Sequence, residues 1–245
     1  MGKLQGLQHA LERLLPGGLS AQLEPHCRVT AFRSGQTVIG HQDRTSDVFI
    51  LLEGTVRVEL HSLNGREIIL ADLSAVELFG EYAALDDESR SASVTATSHC
   101  RLARISGEVF RKALLSTPEA AEWIARRLVG RIRVLTERIF ELNALAVRDR
   151  LHCELLRLGI DAGIAGNRSV ISPSPTHQQL ASRIGTHREA VTRELQYLQK
   201  QGIVVQQGRE LTLNDVSQLA EIVRAAAGDV DVIQRAMPSD SGPSG

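Results

Sequence analysis

Residues 79–92 read Phe-Gly-Glu-Tyr-Ala-Ala-Leu-Asp-Asp-Glu-Ser-Arg-Ser-Ala, and this stretch is the most informative part of the chain. Gly80 allows a ligand to approach the backbone, and the Glu81 carboxylate can accept hydrogen bonds from sugar hydroxyls. Arg90 offers a planar fork of donors that fits phosphate oxygens, and Ser91 adds a hydroxyl beside it. A buried negative charge needs such partners. The stretch therefore predicts a compact site for a cyclic phosphodiester.

An arginine followed by a serine, next to three acidic residues, is by itself also typical of a solvated surface. The order and spacing of the whole stretch favour a binding site, because they resemble the phosphate-binding cassette of cyclic-nucleotide-binding domains. The residues that carry this resemblance are Phe79, Gly80, Glu81, Ala83, Leu85, Arg90, Ser91 and Ala92. Within that group, the stretch is most similar to the catabolite activator (cyclic AMP receptor)/fumarate-nitrate regulator superfamily of bacterial transcription regulators, in its cyclic-nucleotide-binding branch.

The resemblance implies that cyclic AMP or cyclic GMP binds as an allosteric ligand, without a metal. The implied contact residues are Val58, Leu70, Phe79, Gly80, Glu81, Tyr82, Ala83, Arg90, Ser91, Leu135 and Thr136. Family members that bind cyclic AMP place two adjacent hydroxyls near the purine, and Leu135 and Thr136 occupy those positions here. Thr136 can hydrogen-bond a base and Leu135 cannot, so cyclic AMP, cyclic GMP or both remain open.

The composition indicates a globular chain without a strong electrostatic field. The chain has 245 residues, enough for one large or two ordinary domains. Its net charge is -1, so any nucleic-acid binding must come from a local patch. Cys27, Cys100 and Cys153 lie far apart, which predicts neither a disulfide framework nor a metal site and fits a cytoplasmic protein. The first 16 residues lack the continuous apolar core of a signal peptide. No apolar run approaches the roughly 18 residues of a membrane span.

The first half of the chain combines a helical lead with many short strands. Residues 1–24 carry leucines at helical spacing. The segments that favour strands are 28–32, 36–39, 47–60 with a break at Glu53-Gly54, 67–73 and 92–105, and Asn64-Gly65 predicts a hairpin turn. Such a pattern indicates an antiparallel sandwich or barrel.

The middle of the chain predicts a short helix over 108–115 and a long one over 119–146. The long helix carries an apolar heptad seam, with a charged opposite face. The seam residues are Leu128, Ile132, Leu135, Ile139, Leu142 and Ala146, and the charged ones Arg126, Arg127, Arg131, Arg133, Glu137 and Arg138. The seam could pack on its own domain, but a strict heptad stripe is narrower than most globular core faces. We therefore expect a parallel homodimer through 119–146.

The last third predicts a helix-turn-helix. Residues 146–149 form a candidate hinge, 150–159 a helix and 161–174 a loop. Two amphipathic helices then flank Gly185, with Thr176 and Thr186 as candidate N-caps. Strands at 204–205 and 211–213 around Gln206-Gln207-Gly208-Arg209 predict a wing that touches phosphate.

Charge supports a DNA-binding role for this region. The positive residues between 176 and 209 are Arg183, Arg188, Arg193, Lys200 and Arg209, against two glutamates. On the second helix, Arg188 and Arg193 can recognise guanine, and Glu189 can accept from cytosine; a merely solvated face is the alternative.

The same residues extend the resemblance. They match the Arg-Glu-x-x-x-x-Arg triplet of the family's recognition helix, which implies a TGTGA-like inverted repeat read by a dimer. The family also contacts phosphate at the positions of Thr176, Gln178 and His187, whereas His177 replaces a usual basic residue. RNA polymerase is the implied further partner.

The fold class expected from these features is α+β. It comprises an N-terminal antiparallel β-roll (cyclic-nucleotide-binding jelly roll), a long dimerisation helix and a C-terminal winged helix-turn-helix. The corresponding segments are 1–118, 119–146 and 147–228, with 229–245 as a disordered tail.

Four alternatives to a cyclic-nucleotide regulator require other residue patterns or another ligand. A regulator of the same fold that senses another molecule, or that acts without ligand, stays open. An iron–sulfur sensor would need clustered cysteines, and a haem sensor a ligand pair, whereas adjacent His99 and Cys100 would point to opposite faces of a strand. A cupin-type metal enzyme would need converging ligands, but His26, His41, His61 and His99 lack paired spacing. We expect no enzymatic activity.

Overall fold

The computed structural model describes residues 2–236, and it divides them into two compact units whose boundary falls between Arg131 and Ile132. No helix in this described part of the chain is both long enough and apolar enough to cross a membrane. The boundary lies inside the long helix, whereas the sequence interpretation treated 119–146 as a separate segment.

The first unit is a β-roll with flanking helices. Its elements are α1 (Gly2–Leu14), α2 (Gly17–Leu23), β1 (Arg28–Phe32), β2 (Thr37–Ile39), β3 (Val48–Glu53), β4 (Thr55–His61), β5 (Glu67–Ser74), β6 (Glu77–Phe79), α3 (Glu81–Asp86), β7 (Ser93–Ala96), β8 (Cys100–Ile105) and α4 (Gly107–Leu114). The strands form two antiparallel four-stranded sheets, ordered β1-β8-β3-β6 and β2-β7-β4-β5.

Apolar side chains from both sheets meet in the interior of the roll. Phe49 of β3 stacks on Phe79 of β6 with ring centroids 5.4 Å apart, and Val56, Leu73 and Leu102 belong to the same cluster. Helices α1, α2 and α4 pack on a second cluster with buried residues of β3 and β8. The predicted jelly roll is confirmed, and it carries the cassette between β6 and β7.

Two details of the roll differ from the sequence interpretation. The segment 92–105 forms two strands, β7 and β8, because residues 97–99 turn between them, and the short strand β6 was not predicted. The hairpin at Asn64-Gly65 is confirmed between β4 and β5. Its connection is five residues long and closes with Ser62 donating to the Arg66 carbonyl at 2.9 Å.

The long helix α5 runs from Pro118 to Ala144, 27 residues, close to the predicted 119–146. Ala146 of the predicted seam lies outside α5, as the N-cap of α6, and Leu128 packs against the helical cluster of the β-roll. Its first turns belong to the β-roll unit, where Ala120 and Ile124 are buried. The charged face is not simply solvated. Arg127 and Arg131 contact β6, and Arg138 pairs with Glu154 at 2.7 Å in the second unit.

The second unit continues with α6 (Val147–Ala162), β9 (Ile164–Ala165), β10 (Arg168–Ile171), α7 (His177–Ile184), α8 (Arg188–Lys200), β11 (Val204–Gln207), β12 (Glu210–Leu213), α9 (Val216–Ala227) and α10 (Asp231–Ala236). A four-stranded sheet, ordered β11-β12-β10-β9, packs beside the helices. The break between α5 and α6 falls at Leu145-Ala146, whereas residues 147–149 of the predicted hinge already belong to α6. This unit is the predicted winged helix-turn-helix.

Three predictions in this unit are wrong. The segment 161–174 is not only loop, because β9 and β10 pair there and Ser169 and Ile171 of β10 are buried. Thr186 is not the N-cap of α8, since the helix begins after His187, without a side-chain cap. The tail does not begin at 229, because α10 buries Val232 and Ile233 against α6 and α9. The remainder of the predicted tail, 237–245, lies outside the described residues.

A buried ionic cluster holds three helices of this unit together. Glu154 of α6 is 1% exposed and pairs with Arg138 of α5 at 2.7 Å, Arg183 of α7 at 3.3 Å and Arg157 at 3.4 Å. Glu141 of α5 also pairs with Arg157. These ion pairs compensate the free-energy cost of burying the Glu154 carboxylate, which would be large for an unpaired charge. The cluster therefore fixes α7, the first helix of the helix-turn-helix, to its scaffold.

Candidate functional site: an anion cassette and a DNA-reading helix

The cassette is built on the sharp turn between β6 and α3. Gly80 precedes the helix with φ 81°, a left-handed backbone conformation that residues with a side chain rarely adopt. A Cβ on Gly80 would also meet Nη1 of Arg90 and the carbonyl oxygen of Asp47, each at 3.0 Å. Glycine is therefore needed both for the backbone conformation and for the close approach of the arginine.

Arg90 is the buried cation of the cassette, 3% exposed. Its Nη1 donates to the Gly80 carbonyl at 2.7 Å, its Nη2 to the Asp47 carbonyl at 2.7 Å, and its Nε to Thr45 Oγ1 at 3.1 Å. Burial lowers its pKa, while Asp47, Asp43 and Glu81 favour the charged form. A guanidinium has five N–H donors and stays protonated in proteins, so these three bonds leave two donors for an anion.

Glu81 is the buried carboxylate of the cassette, 5% exposed at the start of α3. Burial raises its pKa, and its own backbone N–H, Arg127, Arg131 and Arg90 counteract that effect. A carboxylate close to three guanidinium groups can remain ionised and accept hydrogen bonds from a ligand hydroxyl.

The other predicted contacts fall into two groups. Phe79 and Ala83 are buried, and Val58 packs against the interior cluster that contains Phe79. Tyr82, Ser91 and Leu70 are exposed. Leu70 lies in a β-bulge, because Val58 pairs with Ala71 and Glu59 with Ile69, which leaves Leu70 without a partner in the ladder.

Leu135 and Thr136 belong to the second unit, beyond the boundary within α5. Leu135 is exposed, and the Thr136 hydroxyl donates to the Ile132 carbonyl of its own helix at 2.9 Å. Their predicted contact with the purine stays a prediction.

Four residues of the cassette surroundings escaped the sequence interpretation: Thr45 and Asp47, which receive donors of Arg90, and Arg127 and Arg131 of α5. The first two contact Arg90 through a hydroxyl and a backbone carbonyl, which carry no sequence signal. The two arginines lie four residues apart, so they share one face of the helix. That spacing could have singled them out from the other charges of α5.

An open cavity of about 630 Å³ is lined in part by residues of the cassette. It is lined by Gln42, Arg44, Thr45, Ser46, Ala83, Asp87, Glu88 and Ser89. Only Ala83 of that lining belongs to the predicted contact set, although Thr45 of the lining accepts from Arg90.

One group of potential metal ligands occurs in the described part of the chain. Glu59, His61 and Glu67, on the β4–β5 hairpin, bring one ligand atom each to within 4.8 Å of one another. His61 is thus not isolated, contrary to the sequence interpretation. Glu59 already accepts a hydrogen bond from Thr95 at 2.8 Å, and Arg57 lies nearby. The expectation of no metal stays a prediction.

The helix-turn-helix presents its predicted base-reading residues to solvent. Thr176 caps α7 by accepting from the Gln179 N–H, Gly185 ends the helix with φ 66°, and α8 follows. Arg188, Glu189 and Arg193 are exposed on α8, as are Thr176, Gln178 and His187 near the helix starts. Arg209 is exposed in the tight turn of the β11–β12 wing.

Two other polar residues of this region contact the protein itself rather than solvent. Arg183, which was predicted to belong to the cationic patch, has a side chain only 6% exposed and pairs with Glu154. His177 contacts Thr192 Oγ1 of α8 at 2.8 Å and Gln206 Oε1 of the wing at 3.4 Å. It joins α8 to the wing.

The comparisons with known proteins agree with this architecture. The cyclic nucleotide-binding domain family matches residues 29–117, and the Crp-like helix-turn-helix domain family matches residues 149–222. The chain is 28% identical over 196 residues to the cAMP-activated global transcriptional regulator Vfr of Pseudomonas aeruginosa, covering 78% of this chain and 92% of Vfr. It is 25% identical over 189 residues to the cAMP-activated global transcriptional regulator CRP of Salmonella typhimurium, covering 77% and 90%.

A solved structure extends the similarity to the fold. The c-di-GMP responsive global regulator CLP of Xanthomonas campestris superposes with a TM-score of 0.70 at 22% identity, covering 81% of this chain and 99% of that one. A β-roll with such a cassette, followed by a Crp-like helix-turn-helix, defines a DNA-binding transcription regulator. The chain belongs to the CRP/FNR family, and its relatives are regulators rather than enzymes.

Proposed function

We propose that this chain is a homodimeric transcription regulator that binds DNA in response to cyclic AMP, cyclic GMP or both. The observation that carries the proposal is that two buried charged residues of one cassette, Arg90 and Glu81, lie beside Gly80, whose carbonyl accepts from Arg90. The cAMP-activated relatives Vfr and CRP support a cyclic nucleotide as the ligand. Their role as transcriptional regulators also supports a cytoplasmic protein that contacts RNA polymerase.

Each part of a cyclic nucleotide has a partner in the proposed site. The remaining donors of Arg90, with the Ser91 hydroxyl, bind the cyclic phosphate. The ribose 2′-hydroxyl donates to Glu81, and Val58, Leu70, Phe79, Tyr82 and Ala83 line the site. Thr136 hydrogen-bonds the base. No metal takes part.

Dimerisation is proposed through α5. Ile132, Leu135, Ile139 and Leu142 lie on one heptad stripe and are each about half exposed in the single chain. A second copy of the helix would cover this stripe and form a parallel coiled coil.

DNA recognition is proposed through α8 of both subunits. Arg188, Glu189 and Arg193 would contact the bases of a TGTGA-like half-site, while Thr176, Gln178, His187 and Arg209 would contact phosphates. Two half-sites read by a dimer lie about 34 Å apart, one turn of DNA. The nucleotide acts allosterically if it binds the DNA-competent geometry more tightly. Moving a 1:99 population to 99:1 requires roughly a 10⁴-fold preference.

The test is ligand-dependent DNA binding of an Arg90 variant. We expect Arg90→Leu to abolish the cyclic-nucleotide-dependent rise in fluorescence anisotropy of a labelled TGTGA-type operator. Arg28→Leu, at an exposed position of β1, is the matched control and should respond as the wild type does. Because Arg90 also donates to two backbone carbonyls, Arg90→Lys is measured beside it, and circular dichroism verifies the fold of each.

Activation of a folded Arg90→Leu dimer by cyclic nucleotide would contradict the cassette assignment. The alternative is a regulator of the same fold that responds to another small molecule or needs none. It gains some support because Arg90 already has protein acceptors, and because CLP responds to c-di-GMP. Operator binding by the wild type that ignores both nucleotides would favour it.

A further inference from the structure

The β4–β5 hairpin brings three potential metal ligands together outside the cassette. Glu59 and His61 are two residues apart on β4, so they share one face of the strand. Glu67 of β5 is the cross-strand partner of His61, which puts it on the same face. One ligand atom from each of the three side chains lies within 4.8 Å of the other two. The register of the hairpin therefore fixes which residues meet.

This face of the hairpin lies on the other side of the sheet from the interior of the roll. Val56 is buried in the interior cluster, and Val58 packs against it. Side chains alternate along a strand, so Glu59 and His61 are on the opposite face of β4. Because Val58 is a predicted nucleotide contact, an ion bound by these residues is separated from the proposed nucleotide by the sheet.

Glu59 is oriented by a neighbouring strand. It is 8% exposed, and its Oε1 accepts a hydrogen bond from the Thr95 hydroxyl of β7 at 2.8 Å. A carboxylate has about four lone-pair sites on its two oxygens, so this bond leaves capacity for an ion. Carboxylates that bind metals are commonly held in this way, by a hydrogen bond from an outer residue.

The charges around the three side chains favour a divalent cation. Arg57, two residues before Glu59, donates to Asp72 through Nε at 2.8 Å and through Nη2 at 3.3 Å. This ion pair is neutral as a whole, and Glu59 and Glu67 each add a negative charge close to it. Like charges at such short range repel, and a divalent cation between the two carboxylates converts that repulsion into attraction.

The donor set decides the kind of ion. One imidazole nitrogen with two carboxylate oxygens suits Zn²⁺ and related first-row ions, whereas Ca²⁺ and Mg²⁺ prefer oxygen ligands alone. Ligands of Zn²⁺ lie about 2.0–2.2 Å from the ion, so two of them around a tetrahedral ion are about 3.4 Å apart. The three side chains need to close in by no more than about 1.4 Å, which small side-chain rotations provide.

We propose that Glu59, His61 and Glu67 bind one Zn²⁺-like divalent ion per chain. Water completes the coordination, as at other zinc sites with three protein ligands. The ion links β4 to β5 across the hairpin and is additional to the nucleotide of the proposed function. Sequence spacing alone does not single out this group, because Glu67 comes from the neighbouring strand.

The test is calorimetric titration of the tag-free, full-length protein with Zn²⁺, in a buffer without chelators. We expect a site that His61→Gln and Glu67→Gln each weaken at least about 10-fold, because even the loss of an outer hydrogen-bond partner costs about 10- to 100-fold in metal affinity. His26→Gln removes an exposed histidine elsewhere in the chain and should leave this site unchanged. Circular dichroism verifies the fold of each variant.

Hydrogen exchange locates the ion. Zn²⁺ should slow the exchange of backbone amides in the β4–β5 hairpin of the wild type, but not in His61→Gln. The proposal is wrong if the wild type binds no Zn²⁺, or if Ca²⁺ binds at this site as tightly as Zn²⁺. Zinc affinity that is unchanged in both folded variants would assign the ion to adventitious surface groups and also overturn it. No cyclic nucleotide enters these measurements, so their outcome is independent of the proposed function.

Discussion

Two buried glutamates of this chain, Glu81 in the β-roll and Glu154 in the DNA-binding unit, each lie among three arginines, but they are satisfied differently. Glu154 pairs directly with Arg138, Arg157 and Arg183 at 2.7–3.4 Å. The arginines around Glu81 donate to backbone carbonyls and to Glu77 instead. The Glu154 carboxylate is occupied by ion pairs within the protein, whereas the Glu81 carboxylate can still accept hydrogen bonds from a ligand.

The difference separates a scaffold from a binding site. A buried charge must be compensated, and direct ion pairs do this at the expense of any further contact. Charges held a little farther away favour the ionised form while leaving its oxygens available for a ligand. Arginine-rich surroundings alone therefore do not identify a site. What identifies it is where the guanidinium donors are directed.

The largest expected effect is the loss of stability on removing the charge of Glu154. Glu154→Gln leaves three arginines without their shared partner, and we expect the free energy of unfolding to fall by about 3–5 kcal/mol. Urea unfolding followed by circular dichroism measures it. Glu122→Gln, at an exposed pair on α5, should change it by less than about 0.5 kcal/mol. A loss below about 1 kcal/mol for Glu154→Gln would show that the cluster is not a structural necessity.

The same substitution at Glu81 should act on the ligand instead. Glu81→Gln removes a charged acceptor, so we expect cyclic-nucleotide affinity to fall by about 1.5–3 kcal/mol, roughly 10- to 150-fold. Because burial of this carboxylate is unfavourable, the stability of the folded chain should stay the same or rise. Calorimetric titration and urea unfolding of one preparation give both quantities. Unchanged affinity with lost stability would make Glu81 a scaffold residue like Glu154.

Arg188 represents a third kind of arginine, exposed and directed at solvent. Arg188→Ala should cost about 1–3 kcal/mol on the preferred operator and relax the preference at one base pair. Anisotropy titrations against operators varied at single positions measure this, with Arg168→Ala of β10 as an exposed control. A uniform loss over all operators would instead assign Arg188 to a phosphate.

The smallest expected effect concerns pH. Burial raises the pKa of Glu81 in the folded chain above the ordinary value of about 4.3. Between these two pKa values the folded state binds more protons than the unfolded state, so the free energy of unfolding should decrease as pH rises through that window. The difference in this slope between wild type and Glu81→Gln isolates the contribution. Identical slopes would show that burial does not perturb Glu81.

Local signals predicted most of the fold and the core of the site. The heptad seam, the glycine turns and the cassette order all depend on residues close in sequence, and the structure confirms the elements they predicted. The β9–β10 hairpin and α10 were missed because tertiary pairing and packing create them from weakly patterned segments. Arg127 and Arg183 were misjudged for a related reason. A charged residue on a helix looks alike in sequence whether it faces solvent or a buried acceptor.

The most direct test of the central claim is calorimetric titration of the full-length wild type with cyclic AMP and with cyclic GMP, beside Arg90→Leu. We expect saturable binding of at least one nucleotide to the wild type, and its loss in an Arg90→Leu protein that retains the wild-type circular dichroism spectrum. Absence of binding by the wild type, or equal binding by folded Arg90→Leu, would contradict the account.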